Sequence, residues 1–205
     1  AKRVDTFLCN SNNIRKKILE YYGRGSQVIY PPVDLSRFKP GDTKADYYLM
    51  VGAIAPNKRE DLAVHAFNKL KLQLKISVSG QDEEYCRSIA GETIEFLGTL
   101  SNEKLLELYQ QARALGFPGE DDFGITPLEA QACGTPVIAF AAGGVLETVT
   151  DQTGLYFKEQ KVEINKDVYP RRAELCRNTA QSIRNKISYL YTNVRWYMNV
   201  RCCST

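Results

Sequence analysis

Phe117-Pro118-Gly119-Glu120-Asp121-Asp122-Phe123-Gly124-Ile125-Thr126-Pro127-Leu128-Glu129-Ala130-Gln131-Ala132-Cys133-Gly134-Thr135-Pro136-Val137-Ile138-Ala139 reads as a strand end, an acidic glycine-bearing loop, a short helix and a second strand. The helix is punctuated at both ends. Thr126 is expected to cap it, Pro127 to occupy its first position and Glu129 to complete a capping box, while Gly134 supplies a left-handed stop and Pro136 forbids continuation. The loop before it leaves backbone N–H groups open to an approaching phosphate. Taken alone, Glu129 is equally readable as a capping carboxylate and the acidic loop as a solvated one.

Outward from this stretch, short β-rich runs alternate with helical patterns, which implies a doubly wound, mostly parallel α/β sheet. Strands are expected at 4–10, 27–30, 47–51, 74–78, 94–98, 114–118 and 137–140, with helices over 11–22, 83–90 and 103–111. Ser11 and Ser101 stand as caps. Asn57 is expected to cap a further helix with Glu60 at capping-box spacing, which puts Lys58 and Arg59 in a first turn that disfavours cations and so suggests a nearby anion. His65 lies beside the apolar stripe of that helix and reads as exposed or semi-buried rather than catalytic. In sheets of this type ligands sit beyond the carboxyl ends of the strands. Gly52 to Lys58, Gly80, Gly98, Gly119 to Thr126 and Gly143-Gly144 all fall at such ends.

The chain of 205 residues is long enough for one α/β domain with a full core. Its net charge of +3 is too mild to indicate nucleic acid, and no basic run interleaved with aromatics does so either. The six cysteines lack metal-ligand or paired-disulfide spacing, so no metal is expected and a reducing, cytoplasmic compartment is the simpler reading. No apolar run is long enough to cross a bilayer. The basic, aromatic stretch around Trp196-Tyr197 leaves peripheral contact with the inner face of a membrane open.

Residues 117–139 resemble the acidic-x7-Glu signature of retaining glycosyltransferases of the GT-B fold, family four, here with Asp121 and Glu129 as the pair. Asn10-Ser11, Pro32-Val33-Asp34 with Phe38, the Gly52 to Lys58 segment and Gly143-Gly144 match further family turns, and the matching region ends near Phe157. The resemblance implies that residues 1–157 form the nucleotide-sugar donor-binding domain, the Rossmann-like C-terminal half of such an enzyme. Residues 158–205 would be a helical tail crossing back to a missing N-terminal domain. It also implies roles. Asp121 would hold donor-sugar hydroxyls, Phe123, Gly124, Ile125, Thr126 and Leu128 would border the sugar and pyrophosphate, and Glu129 would bind the ribose. Lys58 would grip the pyrophosphate, with Gly52, Gly98, Gly143 and Gly144 offering backbone contacts. The family places Arg where this chain has Ala53, and usually Glu where it has Asp121. The implied donor is a nucleotide-diphosphate sugar, mannose on GDP by overall likeness, used without metal or other cofactor. The acceptor would be a glycan or lipid-linked molecule held by the missing domain. A non-catalytic nucleotide-sugar-binding module and a nucleotide-sugar epimerase are the alternatives.

Overall fold

A computed structural model describes residues 3–161. The elements run β1 (Phe7–Cys9), α1 (Asn12–Tyr22), β2 (Ser26–Val28), β3 (Tyr48–Ile54), α2 (Glu60–Leu70), β4 (Leu74–Gly80), α3 (Glu83–Ile89), β5 (Ile94–Phe96), α4 (Asn102–Gln111), β6 (Leu115–Phe117), α5 (Ile125–Ala132), β7 (Val137–Phe140), α6 (Val145–Thr148) and β8 (Gly154–Phe157). The expectations for the tail beyond residue 161, including Trp196-Tyr197, lie outside the described residues.

The main sheet has six strands in the order β5-β4-β3-β6-β7-β8, every pairing parallel. Strand β3 therefore starts the winding at the centre, and the order reverses between it and β6. This is the topological switch point, where neighbouring connections leave toward opposite faces and open a crevice. Two-residue periodicity divides the side chains of β3 between two cores. Leu49 packs with Leu108, Tyr109, Leu115, Leu128 and Val137 on the α4–α5 side. Tyr48 and Met50 pack with Leu62, Val64, Phe67 and Ile76 on the α2 side.

The first two strands do not belong to this sheet. Instead β1 and β2 form a separate parallel pair. Polar contacts fix this unit to the main one at the N-terminus of α1. The Ser11 side chain caps Ile14 N–H at 3.1 Å and donates to the Asp122 carbonyl at 2.7 Å. Glu147, just after Gly143-Gly144, accepts from the Asn12 and Asn13 amides at 3.0 and 2.9 Å, from the Asn12 side chain at 2.7 Å and from the Tyr30 hydroxyl at 3.0 Å. Burial opposes its ionised form, but the donors from Asn12, Asn13 and Tyr30 prevail and hold the carboxyl below its ordinary range.

Three expected caps are corrected. Helix α5 begins one residue before Thr126, because Gly124 turns the chain through a left-handed conformation (φ 84°) and itself becomes the N-cap, without a side-chain bond. Glu129 completes no capping box, since its carboxylate receives the Tyr109 hydroxyl at 2.9 Å. Helix α2 begins at Glu60 after a turn closed by Lys58 N–H on the Ala55 carbonyl at 2.8 Å, so Asn57 caps nothing and Lys58 precedes the helix. Arg59 is the residue that enters it, in a left-handed conformation (φ 56°) that glycine usually takes. The expected Ser101 cap on α4 and the left-handed Gly134 after α5 (φ 73°) are present.

Candidate functional site

The crevice at the switch point is lined by Met50, Val51, Gly52 and Ala53 at the end of β3, by Lys58 and Glu60 at the entry to α2, and by Gly116 to Gly119, Asp121 and Thr126 between β6 and α5. Its accessible volume is about 200 Å³. Two loops make it, and they touch. A Cβ built on Gly119 would lie 2.4 Å from Lys58 Cα and 2.5 Å from the Asn57 carbonyl oxygen, so only glycine lets the β6–α5 loop approach the β3–α2 loop this closely.

Inside the crevice the Lys58 ammonium meets the Asp121 carboxylate at 2.5 Å, with side chains 25% and 32% exposed. Partial desolvation strengthens such a contact without isolating it from an entering ligand. The other Asp121 oxygen accepts the Asp122 N–H at 2.7 Å, and the Asp121 carbonyl accepts the Gly144 N–H at 2.8 Å. Lys17 reaches the same loop through Glu120 at 3.2 Å. The loop is thus held on three sides. Gln160 adds a strap by taking an Arg59 guanidinium bond at 3.3 Å and donating to the Pro118 carbonyl at 2.9 Å. Arg59 also chelates Asp61 at 3.0 and 3.2 Å, so it braces the rim instead of reaching the crevice.

Glu60 was expected to be a capping carboxylate. It is 6% exposed and lines the crevice beside Lys58. Burial pushes its carboxyl up to about 7, against backbone hydrogen bonds at Glu60 and Ala55 and the Lys58 charge, with Asp61 adding to the rise. The sequence does carry a signal for this position. Glu60, Ala63, Val64 and Phe67 share one helical face, and the last three are fully buried.

The remaining expected residues divide. Gly52, Lys58, Asp121 and Thr126 border the crevice. Gly124 sets the direction of α5, whose first amides have no side-chain cap, and Ile125 is 45% exposed at that end. Phe123 and Leu128 are core residues, 2% and 4% exposed, and Phe123 packs on Tyr30 with ring centroids 5.7 Å apart. They support the loop from beneath. Gly98 ends the β5 side, where its carbonyl accepts the Ser77 hydroxyl at 3.2 Å, away from the lining residues. Gly143 and Gly144 were expected to turn their amides to the donor, yet the Gly144 amide is spent on Asp121. A Cβ on Gly144 would sit 2.2 Å from the Asp122 carbonyl oxygen, so that glycine serves close loop packing. Glu129 stands apart from the crevice lining, with the buried Tyr109 hydroxyl donating to it and burial pushing its carboxyl up. Among the described residues no three His, Cys, Asp or Glu side chains cluster as a metal site. None of the described helices is long and apolar enough to cross a membrane.

A doubly wound parallel sheet with a cation, an uncapped helix N-terminus and a carboxylate at its switch point defines a class of domain suited to phosphorylated ligands. The particular family follows from comparison: the chain belongs to the glycosyl transferases group 1 family, whose model matches residues 33–168. D-inositol 3-phosphate glycosyltransferase of Mycobacteroides abscessus is 34% identical over 161 residues, covering 66% of this chain and 36% of that protein. The Geodermatophilus obscurus protein of the same name is 33% identical, covering 72% of this chain and 40% of its own length. The chain thus spans about two-fifths of the length of these relatives. Among solved structures, sucrose-phosphate synthase from Thermosynechococcus elongatus superposes with a TM-score of 0.81 at 22% identity, covering 98% of this chain and 60% of that one. Anabaena HepE, solved in complex with UDP and glucose, gives 0.80 at 14% identity, covering 96% and 63%. At these identities the superpositions establish the fold, which is that of GT-B glycosyltransferases.

Proposed function

We propose that residues 1–157 are the donor-binding domain of a retaining hexosyltransferase that moves mannose from GDP-mannose to a glycan or lipid-linked acceptor. The observation that carries this reading is the convergence of Lys58, Asp121 and the open end of α5 on one crevice at the switch point. The nucleoside diphosphate departs with negative charge growing on its β-phosphate. In this reading the Lys58 ammonium and the Ile125 and Thr126 amides meet that charge, a task for which pre-aimed donors contribute more than any other single effect. Asp121, released from Lys58 as the phosphate enters, accepts sugar hydroxyls. No divalent ion is required, and the acid or base acting on the acceptor belongs to the rest of the enzyme, so the isolated chain binds donor and transfers nothing. The relatives named as glycosyltransferases of D-inositol 3-phosphate and the UDP and glucose bound to HepE support a nucleotide-sugar donor. A cytoplasmic enzyme working at the inner face of a membrane fits a lipid-linked acceptor.

Calorimetric titration of the chain with GDP, UDP and ADP and their sugar conjugates, without metal, tests the reading. GDP-mannose is expected to bind tightest, with a dissociation constant below millimolar. Millimolar or absent binding throughout would favour a second reading, a nucleotide-sugar-binding module without catalysis. Ala53 and the pairing of Lys58 with Asp121 give that reading its support, because together they leave less positive charge for a diphosphate.

A further inference from the structure

The crevice holds one ammonium and two carboxyl groups. Lys58 is already neutralised by Asp121 at 2.5 Å, and position 53 contributes no cation. If Glu60 is ionised, the three groups sum to one negative charge before a diphosphate with two more arrives. Glu60 cannot turn away to relieve this. It is 6% exposed, lies on the α2 face that also carries the buried Ala63, Val64 and Phe67, and sits where the β3–α2 loop becomes helix. Like charges crowded in a poorly solvated space are relieved most readily by protonating the acid that is most deeply buried.

We propose that donor binding is coupled to protonation of Glu60: the diphosphate enters the crevice as a solvent proton settles on the Glu60 carboxylate, so that affinity falls as the pH rises past neutrality. The proposal rests on the donor-binding reading above and extends it to the residue that tunes the site. Glu60 is a positioning residue here, acting through the Lys58 loop and the charge balance of the crevice. The charged and titratable groups around it are Lys58 on its own loop, Asp61 beside it on α2, Cys86 on α3 with Asp82 behind, and Asp121 across the crevice. Burial opposes the ionised form most, the backbone N–H groups of Glu60 and Ala55 and then the Lys58 charge favour it, and Asp61 opposes it. The Cys86 thiol, pushed up to about 11 chiefly by burial, stays neutral throughout the relevant range. Burial sets the Glu60 carboxyl at about 7, which puts its titration where a ligand's charge can shift it.

The test uses GDP-mannose and UDP-glucose, whose diphosphate diesters do not themselves titrate between pH 6.5 and 8.5. Binding heats at pH 7.5 in two buffers of different ionisation enthalpy should show uptake of about half a proton or more per donor bound, and affinity should fall about tenfold between pH 7 and 8.5. Glu60→Gln, which keeps size and loses the titration, should show neither effect and should bind about tenfold tighter than the unchanged protein at pH 8.5. Binding without proton uptake, or uptake that persists in Glu60→Gln, overturns the proposal and leaves the donor reading standing. No binding of either donor even at pH 6.5 overturns the donor reading and this proposal with it. Should Glu60→Gln not fold, the proton uptake of the unchanged protein decides alone.

Discussion

Lys58→Ala is expected to weaken binding of nucleotide sugars by about 30- to 100-fold while leaving the nucleosides guanosine and uridine within about twofold. The asymmetry follows from the position of the ammonium, on the lip of the crevice between the two loops. A hydrogen bond to a charged group contributes roughly 1.5–3 kcal/mol, and in the proposed binding mode Lys58 makes that contact to the diphosphate alone. The same substitution should barely affect folding. The Lys58–Asp121 pair is a quarter to a third exposed, so its net contribution to stability is within about 1 kcal/mol. Titrations paired with thermal unfolding separate these effects. Equal loss for nucleosides and nucleotide sugars would contradict the role given to Lys58.

Gly119→Val should be the most damaging single change at the site. Its added Cβ would press on Lys58 Cα, on the Lys58 carbonyl carbon at 2.6 Å and on the Asn57 carbonyl oxygen, all backbone atoms that no rotamer change can clear. One of the two loops must move. Overpacking of this kind costs typically 1–3 kcal/mol in stability, a fall of several degrees in Tm, and here the displaced segment is the one that carries Lys58. Donor affinity should therefore fall at least as far as in Lys58→Ala although the ammonium remains. A variant with reduced Tm and unchanged donor affinity would mean that the contact between loops is structural only. The close approach of Gly119 is visible only once the two loops are seen together, since nothing in its neighbouring residues distinguishes it from an ordinary loop glycine.

How far the sequence could be read depended on whether the cause was local. The doubly wound sheet was legible because alternating strand and helix patterns leave few arrangements. The end of α5 was legible because Gly134 and Pro136 act through their own backbones. Lys58 borders the crevice from a turn before α2, and not from the first helical turn read from the sequence. The caps went astray where a glycine or a left-handed residue displaced a polar side chain, as Gly124 does at α5 and Arg59 at α2. Glu129 had a plausible local bond in a capping box, but a long-range partner, Tyr109, twenty positions away, took its carboxylate. The β1–β2 pair was illegible for the same reason, because strand pairing is decided by residues far apart in the chain.

Glu60 shows the opposite case. A capping pattern assigned its carboxylate to the helix end, while the helical period put it on a buried stripe, and the period proved the better guide. Phe123 and Leu128 likewise are buried in the core. They hold the loop on which Asp121 stands, so replacing them would act through the loop.

The most direct test of the donor crevice is amide chemical-shift mapping of the chain on addition of GDP-mannose. Saturable shifts concentrated at Gly52, Ala53, Lys58, Gly119 and Gly124 to Thr126, and lost in Lys58→Ala, are what the geometry predicts. Saturable binding whose shifts fall elsewhere and spare both loops would contradict it.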